Sequence, residues 1–190
     1  MRRVAPALSL GAFAAALAAA APGPAAAPRN LGEEWGRLID AKEFGKARTL
    51  CSAWLKESDR SVLAEARKCL ANVELSRAET PQGYKGQGVD KALEHLNAGV
   101  KAAPDDLSIH QSRLFVLLNA GRMQKMPAAV AESAGLYRGP DALEAWLAYC
   151  PEFERRGKPE AGFAYAKELE RAYPKDPRTQ AACRAARRGK

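Results

Sequence analysis

Ala92-Leu93-Glu94-His95-Leu96-Asn97-Ala98-Gly99-Val100-Lys101-Ala102-Ala103-Pro104 is echoed seventy residues later by Gly162-Phe163-Ala164-Tyr165-Ala166-Lys167-Glu168-Leu169-Glu170-Arg171-Ala172-Tyr173-Pro174. Ala92, Leu96, Gly99 and Pro104 stand at offsets 0, 4, 7 and 12, and Gly162, Ala166, Leu169 and Pro174 repeat those offsets. The separation is close to two periods of about 34 residues, the period of stacked helical hairpins. Each hairpin of such an array cannot bury its own apolar face and depends on its neighbours for a core.

Read outward from these segments, the chain from Asn30 onward is almost all helix former, with Gly or Pro at the breaks and no period-2 alternation of the kind a strand shows. Leu31, Trp35 and Leu38 share one face of a first helix, and Ala47, Leu50, Cys51, Trp54 and Leu55 face inward from a second. Leu63, Ala66, Leu70, Val73 and Leu75 mark a third helix that ends near Ala78. The stretch from Thr80 to Gly88 holds three glycines and a proline and reads as a loop, longer than most helix–helix connections. A fourth helix runs from Val89 to Ala103, and Asp105-Asp106 opens a fifth, which presents Ile109, Leu114, Leu117 and Leu118 and stops at Gly121. Pro127 suits the first turn of a sixth helix reaching Leu136. A seventh carries Trp146, Tyr149 and Phe153, with Pro151 inside it either as a kink or as a new start. An eighth spans Glu160 to Tyr173, and a terminal helix from Thr179 to Arg188 caps the array.

This pattern resembles the tetratricopeptide repeat, over residues 30–177. The best-fitting unit places Trp146, Tyr149, Cys150, Phe153, Gly157, Gly162, Ala166 and Pro174 at the repeat's characteristic positions, with Leu169 where a smaller residue belongs. The unit before it offers His110, Leu114, Leu117, Gly121 and Val130, with Met126 in a small-residue position and Arg138 in place of proline. The second unit fits in its back half, through Ala92, Leu96, Gly99 and Pro104, and carries an insertion. The first is weakest, matching at Ala47 and Cys51 while Trp54 stands where a small side chain belongs. The resemblance implies an all-α fold: a right-handed α-solenoid of about four such hairpins plus the capping helix. An irregular α-solenoid is the alternative.

The N-terminus reads as a leader. Arg2 and Arg3 precede an apolar stretch from Val4 to Ala21, and Ala19-Ala20-Ala21 and Ala25-Ala26-Ala27 both offer small-residue cleavage sites. We expect residues 1–27 to be a cleaved signal peptide rather than a membrane anchor, and residues 28–190 to be one exported domain, periplasmic or secreted in a bacterium. Cleavage lowers the formal charge from +8 to +6. Part of that excess is terminal, in Arg178, Arg184, Arg187, Arg188 and Lys190. Elsewhere Lys and Arg mix with Glu along helical faces, so no nucleic-acid partner is expected, and an anionic envelope surface is a better match for the tail.

The four cysteines permit two disulfides, with buried thiols as the alternative. Cys51 and Cys69 lie nine residues on either side of Arg60, at the turn between two antiparallel helices, and should face each other. The repeat positions of Cys150 and Cys183 would pair them across neighbouring helices. No Cys-x-x-Cys, Gly-x-Ser-x-Gly or phosphate-binding glycine loop is present, and His95 and His110 have no acid or cysteine at ligand spacing. No enzyme activity, cofactor or metal is therefore expected.

The resulting expectation is a scaffold that binds a protein or peptide. In the repeat family the first helix of each hairpin lines the binding groove, which points here to Gln111, Phe115, Leu118, Asn119, Leu147, Pro151 and Arg155. Phe115 and Leu118 would be its apolar anchors. In the alternative arrangement the insertion covers the groove and Tyr84 fills it. The second functional expectation is a structural envelope component held on anionic lipid or cell-wall polymer by the basic tail.

Overall fold

The computed structural model describes residues 30–81, 83–137 and 140–182. They are mostly helical. In chain order the elements are α1 (Leu31–Asp40), α2 (Phe44–Trp54), α3 (Arg60–Ala78), β1 (Glu79–Thr80), β2 (Gly83–Tyr84), α4 (Gln87–Ala102) and α5 (Leu107–Asn119). A 3-10 turn over Met123–Lys125 then leads into α6 (Met126–Ala134), followed by α7 (Pro140–Leu147), α8 (Cys150–Arg155), α9 (Pro159–Ala172) and α10 (Pro177–Ala182). The principal contacts join helices close in sequence: α1 with α2 and α3, α3 with α2, α4 and α5, α5 with α4 and α6, and α9 with α6, α8 and α10.

The turns repeat as well as the helices. Within three hairpins the first helix ends on a left-handed residue: Lys42 at φ 60°, Gly121 at 70° and Gly157 at 64°. In each case the next amide donates to the carbonyl five residues back, Glu43 to Leu38 (2.8 Å), Arg122 to Leu117 (2.8 Å) and Lys158 to Phe153 (2.7 Å). This six-to-one bond satisfies a carbonyl that the helix end would otherwise leave open. The connections between hairpins also match. Ala103-Pro104-Asp105-Asp106 and Tyr173-Pro174-Lys175-Asp176 follow the same path, and Ala103 and Tyr173 have φ of −135° and −129°. Proline ends each preceding helix, and the aspartate accepts from the amide two residues on, Ser108 at 2.8 Å and Arg178 at 2.9 Å. The echoed sequence segments therefore share a local structure.

Two separate groups of buried side chains hold these helices. The larger runs from α3 to α9 and includes Leu75, Leu96, Ile109, Leu114, Met126, Trp146, Phe153, Tyr165 and Leu169. The smaller comprises Ala47, Cys51, Trp54, Ala66, Cys69, Leu70 and Val73, on α2 and one side of α3. Gly99 sets how closely α4 meets its neighbours: a Cβ there would fall 1.9 Å from Ile109 Cδ1 and 3.1 Å from Arg67 Cβ. Only a glycine permits that approach.

One local expectation changes and one open alternative is decided. The segment after Ala78 is not simply a loop: Glu79 pairs with Tyr84 and Thr80 with Gly83 in a minimal antiparallel ladder, and the Thr80 hydroxyl donates to the Gly83 carbonyl at 2.6 Å. Two residues per strand are too few to produce an alternating pattern. Of the two readings of Pro151 the new start holds: the chain breaks at Ala148-Tyr149 between α7 and α8, and Pro151 lies in the first turn of α8 where its missing N–H costs no helical bond. The expected leader, residues 1–27, and the tail residues Cys183, Arg184, Arg187, Arg188 and Lys190 lie outside the described residues.

Candidate functional site

A set of side-chain hydrogen bonds links the first helices of the hairpins in chain order. The Trp35 indole N–H on α1 donates to Glu65 on α3 at 3.2 Å. Lys68, one turn further along α3, binds Glu65 and donates to the Ser108 hydroxyl on α5 at 2.7 Å. Between α5 and the fourth hairpin, the Tyr149 hydroxyl donates to the Gln111 carbonyl at 3.2 Å, and Arg156 donates to the Leu118 carbonyl at 2.9 Å and the Asn119 amide oxygen at 3.3 Å. One seam thus crosses from α1 to α8.

Helical periodicity explains why these residues share a face. Glu65, Lys68 and Asn72 occupy one stripe of α3, and Ser108, Ser112, Phe115 and Asn119 occupy one stripe of α5. Lys68 is buried, yet its ammonium has both a carboxylate and a hydroxyl, which offsets the cost of removing a charge from water. Along the two stripes Asn72, Ser108, Ser112, Phe115 and Asn119 are half-buried. The stripes carry small polar groups and one aromatic side chain, Phe115.

The residues expected from sequence to line a groove fall into three groups. Gln111 and Leu118 are buried, Phe115, Asn119 and Leu147 are half-buried, and Pro151 and Arg155 are exposed. Phe115 and Leu147 pack against the larger core cluster that contains Leu118. At the end of α5 the insertion closes in: a Cβ at Gly83 would fall 2.8 Å from the Asn119 carbonyl oxygen. Tyr84 is buried in the same cluster as Leu118, and that burial, reinforced by the Glu79 charge, pushes its phenol up to about 12. Burial likewise raises the Tyr149 phenol well above its ordinary value, so the group stays a neutral donor to Gln111.

Sequence reasoning missed Glu65, Lys68 and Arg156. The i,i+3 spacing of Glu65 and Lys68 marks a pair, but nothing local says that α5 covers it. Arg155, expected from its repeat position, is exposed and pairs with Glu152, while the adjacent Arg156 reaches both Glu152 and the end of α5.

Cys51 and Cys69 stand at disulfide-bonding distance with their Cα atoms 6.2 Å apart, joining α2 to α3 as their spacing predicts. Cys150 is buried at the start of α8, and its expected partner Cys183 lies outside the described residues. Among the described residues no group of three or more His, Cys, Asp or Glu could hold a metal ion, and no helix is long and apolar enough to cross a membrane.

The chain matches no protein-family model, and no curated protein or solved structure matches it.

Proposed function

We propose that this chain is a non-enzymatic scaffold of the bacterial envelope, a right-handed α-solenoid of tetratricopeptide-like hairpins that holds a protein or peptide partner along the face of its first helices. The observation that carries the reading is the seam from Trp35 through Glu65, Lys68 and Ser108 to Tyr149 and Arg156. These contacts link consecutive first helices from α1 to α8, which supports a stacked array. The repeated turn geometry at Lys42, Gly121 and Gly157 supports the same reading. The Cys51–Cys69 pair is compatible with an oxidising compartment.

The partner would contact the half-buried stripe of Asn72, Ser112, Phe115 and Glu152, with Pro151 and Arg155 at its exposed end. The test places a photo-crosslinking amino acid at Asn72, Ser112 or Glu152 and, as controls, at Lys91 and Ala131, exposed positions on the second helices α4 and α6. Irradiation in envelope extract should yield a discrete protein adduct from the first three positions and none from the controls. Equal adducts from both sets, or none from the stripe, would contradict the proposal. Adducts confined to low salt would move attachment to the basic tail.

A further inference from the structure

We propose that the Cys51–Cys69 bond is a redox latch: its reduction by a dithiol releases α1 and α2 from α3, while α4 to α9 remain folded. The inference is independent of the partner-binding reading. It rests on how unevenly the molecule is packed. Within α1 no residue is buried; Leu31, Trp35, Leu38 and Ile39 only rest against the smaller cluster. From α2 that cluster receives Ala47, Cys51 and Trp54.

Helix α3 has two loyalties. Ala64, Ala71 and Leu75 belong to the larger cluster, whereas Ala66, Cys69, Leu70 and Val73 belong to the smaller. Loss of the N-terminal hairpin therefore leaves α3 held against α4 and α5 from its other side. The remaining ties between the hairpin and α3 include the Trp35–Glu65 hydrogen bond and the Arg48–Glu74 ion pair, in which the glutamate is buried and the arginine is 42% exposed. Both ties are only part-buried: the arginine side of the pair is open to water, which weakens it, and the indole–carboxylate hydrogen bond is one neutral donor on one acceptor. Opening would uncover Ala66, Leu70 and Val73, an apolar strip on α3 that the closed molecule hides.

The chemistry is thiol–disulfide exchange. A thiolate of the dithiol attacks one cysteine sulfur, and the other cysteine leaves as a thiolate and takes a proton. The second thiol of the reagent then closes on the first, loses its proton and expels the remaining cysteine. Two electrons and two protons pass to the protein, and the dithiol becomes a cyclic disulfide. Both cysteines are fully buried, so attack proceeds through opening of the last turn of α2, where Cys51 lies three residues from Trp54. Breaking a link between residues 18 apart shifts the opening equilibrium about a hundredfold.

Hydrogen exchange followed by mass spectrometry on the full chain, before and after reduction with dithiothreitol, tests the latch. Peptides within residues 31–54 should exchange about a hundredfold faster after reduction, while those within 107–172 change less than about twofold. Alkylation under native conditions should label both Cys51 and Cys69 in the reduced protein. A Cys51→Ala, Cys69→Ala variant should show the fast exchange without reductant. Reduced wild type keeps both side chains, so it decides the matter even where the variant fails to fold. Unchanged protection of residues 31–54 after verified reduction would overturn the proposal, as would equal loss of protection across residues 107–172.

Discussion

The first and fourth hairpins share a turn and differ in what fills them. Each ends its first helix on a left-handed residue, Lys42 or Gly157, with a six-to-one hydrogen bond back across the turn. Inside the fourth hairpin, Trp146, Phe153 and Tyr165 are fully buried, the Phe153 and Tyr165 rings lie 5.1 Å apart, and the Tyr165 hydroxyl donates to the Trp146 carbonyl at 3.0 Å. In the first, α1 buries nothing completely and a cysteine pair spans α2 and α3. Backbone geometry sets the shape of a hairpin. Buried volume, or a covalent link in its place, decides how firmly it is held.

The two tryptophans on first helices give the widest separation between these regions. Trp146→Ala should cost about 3–5 kcal/mol in denaturant unfolding, because a fully enclosed indole leaves a large cavity. Trp35→Ala should cost less, about 1.5 kcal/mol, since its indole is only partly buried and its hydrogen bond to Glu65 is partly wet. Similar costs would mean that the first hairpin is packed as firmly as the fourth.

Gly99→Ala comes next, at about 1–3 kcal/mol, because the new methyl meets Ile109 and Arg67. Its effect belongs to the larger core, so amide protection should fall in α4 and α5 before it falls in α1. Loss confined to α1 would invert the comparison.

Acid should weaken the better-packed region selectively. The only histidines are His95 on α4 and His110 on α5. Burial lowers both below their ordinary value; at His95 the Arg67 charge adds to the effect, and at His110 the bond to the Pro104 carbonyl, at 2.9 Å, opposes it. A histidine depressed in the folded state binds its proton more readily when unfolded. Its stabilising contribution is therefore present above pH 6.5, the unfolded value, and is lost as pH falls toward and through the folded one. Denaturant titrations between pH 7 and 5 should show that decline, and His110→Gln should flatten it. A profile unchanged by that substitution would remove His110 from the explanation.

The smallest expected effects are in the matched turns. Lys42→Gly relieves a left-handed lysine and should stabilise the chain by up to about 1 kcal/mol, whereas Gly157→Ala should cost about 1 kcal/mol. Thermal melts read both. The same sign for the two substitutions would show that the turns are not equivalent.

The helices and their breaks were legible because proline and glycine act locally: Pro104, Pro174, Gly121 and Gly157 each mark a turn that the structure contains. The Cys51–Cys69 pairing was legible for a similar reason, since a single hairpin turn brings the two residues opposite each other. The site was less so. Lys68 reads as a surface residue until α5 lies over it, and the choice between Arg155 and Arg156 depends on where α8 restarts after Tyr149. Tyr84 and Leu118 become buried only when the insertion folds against the end of α5. Each of those outcomes is set by a contact distant in sequence, which periodicity does not carry.

The measurement that bears most directly on the proposed scaffold is the affinity of the crosslinked partner for three forms of the chain: wild type, Ser112→Arg on the seam face, and Lys91→Glu on a second helix. Ser112 is half-buried in the α5 stripe and Lys91 is exposed on α4, so neither substitution enters the core. The account predicts at least about a tenfold loss for Ser112→Arg, or about 1.4 kcal/mol, and unchanged affinity for Lys91→Glu. Equal affinity for all three forms would contradict it.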